Sequence, residues 1–112
     1  MKRFEIFSVD LNPTIGAEMN KIRPCVIISP DEMNAFLKTV MIVPLTSVER
    51  QLPTRVFVKA SPTNGLRKDS YVVLDQIKTV DKSRLAQAPM GVLNQAEQNQ
   101  VSSILCQMFA IN

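Results

Sequence analysis

The chain has 112 residues and a mass of 12.5 kDa, with 46% hydrophobic residues, 21% charged residues and a net charge of +3. This is the size and make-up of one globular domain, and it excludes a disordered chain, a collagen-like repeat and a disulfide scaffold. The chain has no His; this removes the Ser-His-Asp triad, the Cys-His dyad and His-containing zinc sites, and leaves Arg, Lys, carboxylates, hydroxyls and amides for any catalysis.

Near the N-terminus, Glu5 and Asp10 interrupt any apolar stretch, so no signal peptide is expected. No run approaches the ~20 apolar residues of a membrane span. Segment 4–11 alternates through Phe7, Val9 and Leu11 and predicts a half-buried strand. Asn12-Pro13-Thr14-Ile15-Gly16 predicts a turn, followed by a polar loop to Arg23. The continuous apolar run 25–29 predicts a central strand buried on both faces, broken by residues 30–34. Segment 39–45 predicts another buried strand, closed by Pro44. Segments 55–59 and 71–74 read as further strands, joined through the turn Ser61-Pro62-Thr63-Asn64-Gly65. A short helical turn is expected near 82–85. Val101, Ile104, Leu105, Met108 and Ile111 recur at helical spacing, and Asn94 with Glu97 predicts a capping box at the start of that helix.

The order is therefore five to seven short strands and one closing helix, spread over a single domain, 1–112. That predicts a mainly β (β-rich α+β) fold built as a small barrel. Cys25 and Cys106 read as small apolar core residues with free thiols, which suits a cytoplasmic protein. The Met and Phe residues also read as core, and Phe57 and Tyr71 fall on predicted strands, which argues against a plain RNA-binding barrel with exposed stacking aromatics.

Charge is uneven. Residues 1–49 carry a net −1 and residues 50–112 a net +4, with the excess in Arg50, Arg55, Lys59, Arg67, Lys68, Lys78, Lys82 and Arg84. A basic half suits a polyanionic partner, and scattered surface cations give the same count. Four segments could carry chemistry. The loop Gly16–Pro24 puts Glu18 and Arg23 five residues apart beside a buried strand; Arg23 offers a forked donor set for phosphate, or simply pairs with Glu18. Thr46 and Ser47 follow the strand that ends at Pro44, as oxyanion donors or as a turn cap. Asp75-Gln76-Ile77-Lys78 ends another strand; its polar groups could read bases, hold a loop, or pair with a nearby Lys or Arg. Arg67-Lys68 could contact phosphate or be a solvated turn.

Taken together, Val9-Asp10-Leu11-Asn12-Pro13-Thr14-Ile15-Gly16-Ala17-Glu18, Ile22-Arg23-Pro24 running into Cys25–Pro30, Val43-Pro44-Leu45-Thr46-Ser47 and Asp75-Gln76-Ile77-Lys78-Thr79-Val80 resemble the MazF/PemK family of toxin endoribonucleases. Several short motifs in the right order, from about Ile6 to the final helix, make the likeness specific. The resemblance implies a compact SH3-like barrel with a C-terminal helix, a homodimer, and sequence-selective cleavage of single-stranded RNA without metal or other cofactor, in a pair with a cognate antitoxin. By position it implies Arg23 and Thr46 as the catalytic pair with Glu18 beside them. It also implies RNA contacts from Asn12, Thr14, Lys21, Ser47, Arg50, Arg67, Lys68, Asp75, Gln76 and Lys78. One branch of the family uses a His in the first loop and an Arg two residues before the Asp; here Ala17 and Val73 stand there. The chemistry expected is attack of the RNA 2′-OH on the adjacent phosphorus, with the base open between Arg23, which holds its proton strongly, and a buried Glu18. The alternative is a toxin of the same fold that poisons DNA gyrase by binding alone.

Overall fold

The structure is a computed structural model that describes residues 1–110. Ile111, expected on the apolar face of the last helix, lies outside the described residues. Seven strands form one curled antiparallel sheet: β1 (Glu5–Asp10), β2 (Ile22–Ile27), β3 (Thr39–Thr46), β4 (Arg55–Val58), β5 (Ser70–Val73), β6 (Lys78–Asp81) and β7 (Gly91–Val92). Two helices are added, α1 (Asp31–Phe36) between β2 and β3, and α2 (Gln95–Met108) after β7. The fold is a mixed α+β one, with α2 closing the sheet.

The strand order is β4-β5-β3-β2-β1-β7, and β6 lies beside β3 off this path. β3 is the hub. It pairs along one edge with β2, and along the other first with β6 (Thr39 to Ile42) and then with β5 (Leu45 and Thr46). Its apolar run serves two cores at once. Val43 and Leu45 join Ile6, Val26, Val56, Val72, Leu93 and Val101 under α2, whereas Val40 and Ile42 join Phe7, Val9, Cys25, Ile27, Val80 and Leu85 on the opposite face. Side chains on a strand alternate between faces, so an uninterrupted apolar run is what a strand covered on both sides requires.

Several expectations change. Residues 31–36 form α1, with Pro30 as N-cap and Asp31 and Glu32 in the first turn; acidic residues after a Pro favour a helix start. Pro44 does not close β3, which runs on to Thr46. Ile28 N donates to Met41 O, so alternate residues of β3 turn their backbone groups to β2 and Pro44 turns its ring nitrogen to the other edge. There the partner changes from β6 to β5, and no ladder bond is lost. β2 starts at Ile22, earlier than its apolar run, because Arg23 and Ile22 pair with Val9 and Asp10. Cys106 is exposed, since the last turn of α2 runs beyond the core, and Met108 and Phe109 are exposed with it. Phe57 is 49% exposed and Phe36 86%, so neither is a core residue. The capping box of α2 is present in both halves: Glu97 N donates to Asn94 Oδ1 and Asn94 N to Glu97 Oε1. The expected helical turn is a 3-10 turn at Lys82–Arg84.

Candidate active site

The β2–β3 ladder ends at Cys25 opposite Pro44. The next residue back, Pro24, faces β3 but has no N–H to extend the ladder. The two strands part there, and a cleft of 410 Å³ opens between Lys21–Pro24 and Leu45–Ser47, with Leu66, Arg67, Lys68, Ser70 and Met90 as its far wall. That volume lies within the usual range of small-molecule sites. Four cations (Lys21, Arg23, Arg67, Lys68) and three hydroxyls (Thr46, Ser47, Ser70) line it, with no carboxylate. The hairpin that supplies the far wall turns at Gly65, whose φ of +71° and contact with the Met90 backbone leave no room for a side chain.

Arg23 is half-buried, and its Nε donates to the Asn20 carbonyl at 2.8 Å. That bond fixes the guanidinium plane and leaves the terminal nitrogens, which make no hydrogen bond among the described residues, for a ligand in the cleft. Thr46 is only 7% exposed, and its Oγ1 accepts the Val48 N–H at 3.2 Å. Its own hydroxyl proton remains free to donate. Ahead of them Lys21 sits in the left-handed region, φ +69°. Its N–H donates to Asn12 Oδ1 and its carbonyl accepts the Leu11 N–H, which brings the two ends of the loop together. Behind Arg23, burial pushes the Cys25 thiol up to about 12 against the pull of the Arg23 charge, and Sγ donates to the Arg23 carbonyl at 3.6 Å. Cys25 is therefore a protonated packing residue, not a nucleophile.

Glu18 is elsewhere. It lines a neighbouring pocket of 440 Å³ with Leu11, Ile15, Met19, Asp75, Gln76 and Lys78. Its Oε2 accepts the Ile15 N–H, its Oε1 is 3.8 Å from Lys78 Nζ, and its side chain is 49% exposed. The burial that a base role was to draw on is absent, and Glu18 pairs with Lys78, not with Arg23. Gln76 accepts the Met19 N–H at 2.8 Å and donates to the Ala17 carbonyl at 3.5 Å. Asp75 accepts from Thr54 Oγ1 at 2.9 Å and lies 3.8 Å from Arg55 Nε. Asn12 is spent on the loop, and Arg84 donates to the Asp10 and Asn12 carbonyls. Thr14 is half-buried in the same loop. Arg50 lines a third hollow, of 560 Å³, with Glu49, Leu52, Arg55, Phe57 and Tyr71. Partial desolvation, then the Glu49 and Asp69 carboxylates, hold the Tyr71 hydroxyl above its ordinary value, and its ring lies 5.5 Å from that of Phe57.

The expected residues thus divide. Arg23, Thr46, Lys21, Ser47, Arg67 and Lys68 share one cleft; Glu18, Asp75, Gln76 and Lys78 share the next; Arg50 stands apart. Arg55, counted above only in the basic half, adjoins these residues at Asp75. Its side chain is 10% exposed, and its Nε is buried without a hydrogen-bond partner, aimed at Asp75. The available signal was the alternation of 55–59, which puts Arg55 and Phe57 on one face.

A family model described as the PemK-like, MazF-like toxin of type II toxin-antitoxin systems matches residues 2–109. The chain belongs to that family. Among curated members, it is 36% identical over 87 residues to endoribonuclease EndoA of Bacillus subtilis, a match covering 76% of this chain and 74% of that protein. It is 35% identical over 111 residues to endoribonuclease MazF9 of Mycobacterium tuberculosis, covering 94% and 92%. Of solved structures, the toxin MazF-mt6 of Mycobacterium tuberculosis superposes with a TM-score of 0.79 at 25% identity, covering 96% and 98%. MazF of Deinococcus radiodurans gives 0.84 at 18%, covering 99% and 97%, a likeness of fold. The motifs that carry the MazF/PemK likeness supply most of the lining of the Glu18 pocket and the near side of the cleft, whose far wall lies outside them.

Proposed function

We propose that this MazF/PemK toxin, a sequence-selective endoribonuclease of a toxin–antitoxin pair, cleaves single-stranded RNA in the cleft between β2 and β3. The observation that carries the reading is the lining of that cleft, four cations and three hydroxyls with no carboxylate. Such a lining suits a phosphodiester and repels nothing in it. The RNA 2′-OH attacks the adjacent phosphorus and the 5′-oxygen leaves. The products are a 2′,3′-cyclic phosphate, or the 3′-phosphate formed when it opens, and a 5′-OH. The two terminal nitrogens of Arg23 hold the non-bridging oxygens as charge builds, and the Thr46 hydroxyl donates beside them. Lys21, Ser47, Arg67 and Lys68 align the flanking phosphates. With Glu18 paired to Lys78 in the adjoining pocket, alignment and charge stabilisation supply most of the rate. No metal or other cofactor takes part.

On this reading residues 1–112 act as one toxin domain, the curled sheet and α2 make the family's SH3-like barrel, and two copies associate. A cognate antitoxin in the cytoplasm blocks the RNA groove. Complexes of Deinococcus radiodurans MazF with MazE, whose MazF chains share this fold, support an antitoxin partner. Among the described residues no helix is long and apolar enough to cross a membrane.

A short synthetic RNA tests the reaction. We expect 5′-OH and cyclic-phosphate ends, activity that survives EDTA, and resistance when the nucleotide 5′ to the cut is 2′-deoxy. Products with 5′-phosphate and 3′-OH ends, loss of activity in EDTA, or no cleavage together with inhibition of DNA gyrase would overturn it.

A further inference from the structure

We propose that Gln76 is a positioning residue for Arg23, acting through the first loop; the inference rests on the function proposed above for Arg23. Among the described residues, the Arg23 side chain is oriented by one hydrogen bond, from its Nε to the Asn20 carbonyl. Asn20 sits at the corner of the loop, between residues that line one pocket and residues that line the next. The backbone immediately before that corner is held by a side chain from 57 residues away in sequence, Gln76, whose Oε1 accepts the Met19 N–H at 2.8 Å. The same amide reaches the Ala17 carbonyl at 3.5 Å.

Gln76 is itself well placed to be a fixed point. It follows Asp75, which is tied to Thr54, and its N–H donates to the Val73 carbonyl at 3.3 Å in the tight turn after β5. Two residues on, Lys78 begins β6, pairs with Glu18 and donates to the Leu11 carbonyl at 3.4 Å. Side chains of this turn and of the start of β6 therefore hold both sides of the loop, and Gln76 holds the side that leads into Asn20 and Arg23. With its amide spent on the loop backbone, Gln76 sets where Arg23 points, not which base is read.

The experiment compares Gln76→Met, which keeps the length but removes the acceptor, with Gln76→Glu, which keeps an acceptor for the Met19 N–H. Single-turnover cleavage of a short RNA is measured beside the amide proton exchange of Met19 and the Arg23 Nε–H signal in a 15N-labelled protein without RNA. Gln76→Met is expected to lower kcat roughly 10–100-fold, as loss of alignment does, with KM changed less than about threefold. Met19 should exchange at least tenfold faster and the Arg23 Nε–H signal should shift. Gln76→Glu should restore kcat to within about threefold of the original chain. Unchanged exchange and an unchanged Arg23 signal in Gln76→Met would overturn the inference. So would an effect carried on KM that depends on the base beside the cut, which marks direct base contact. If the unmodified chain does not cleave RNA, the functional reading falls, and the exchange measurements still decide whether Gln76 holds the loop.

Discussion

On the proposed function, removing the Arg23 guanidinium should separate catalysis from folding in this chain. In the cleft, its terminal nitrogens are free for two charge-assisted bonds to the phosphate. Bonds to charged groups contribute about 1.5–3 kcal/mol each, so Arg23→Ala should raise the barrier by about 3–6 kcal/mol, roughly 10²–10⁴ in kcat/KM. The fold loses much less. Arg23 is half-buried and makes one side-chain hydrogen bond, to Asn20, worth about 0.5–1.5 kcal/mol. For a domain near this size that is a fall in Tm of roughly 4–8 °C per kcal/mol. Arg23→Lys keeps the charge but loses both the Nε anchor and the fork, and should fall between Arg23→Ala and the original chain. The assay is single-turnover cleavage of a fluorescent RNA beside thermal unfolding of each variant. Arg23→Ala cutting within threefold of the original chain would refute the site. An unfolded Arg23→Ala would refute the claim that Arg23 is peripheral to the core.

Further outcomes follow from the same geometry. Thr46→Val should cost roughly 10²-fold in kcat, the scale of losing one donor to developing charge, and Thr46→Ser should retain most of the rate because it keeps the hydroxyl. Lys68→Ala and Arg67→Ala should each flatten the slope of log affinity against log salt by about 0.7 for single-stranded RNA, measured by fluorescence anisotropy with 2′-deoxy substrate to prevent cutting. In the folded chain burial pushes the Cys25 thiol up to about 12 from its ordinary 9.0. The folded state therefore binds the thiol proton more tightly than the unfolded chain. That stability is fully present below pH 9 and declines between pH 9 and 12, with a slope of up to about 1.4 kcal/mol per pH unit. Cys25→Ala should remove that part of the decline in urea melts. Iodoacetamide at neutral pH should label the exposed Cys106 and leave Cys25 untouched.

The strands that legibly alternate or run apolar, β1, β3 and β5, were readable because burial on one or both faces leaves that mark directly on the chain. The helix α2 was readable from its capping box and its 3.6-residue spacing. α1 and β6 were not. α1 is six residues with one buried side chain, Asn34, so it has no apolar face to announce it. β6 has one buried residue, Val80, and exists as a strand because β3 offers it an edge. Cys106 and Phe57 misled for a related reason: an apolar side chain on a periodic segment reads as core, although the last turn of α2 runs beyond the core and Phe57 lies on the exposed face of the edge strand β4.

For the candidate site, residue identities were enough to exclude His chemistry and to single out Arg23 and Thr46, because a forked cation and a hydroxyl at strand ends are chemical signals that survive without coordinates. Grouping was a tertiary matter. Glu18 is five residues from Arg23 in sequence, yet the corner at Asn20 sends it to the neighbouring pocket, where Lys78 holds it. Arg67 and Lys68, more than forty residues from Arg23, line the same cleft. Pro24 ends the β2–β3 ladder, and only the pairing of strands shows that this opens a space between them. Sequence by itself determined which groups could do chemistry and which segments would be buried, since both depend on side-chain type and local periodicity. The tertiary structure alone decided which of those groups meet, since that depends on contacts between residues far apart along the chain.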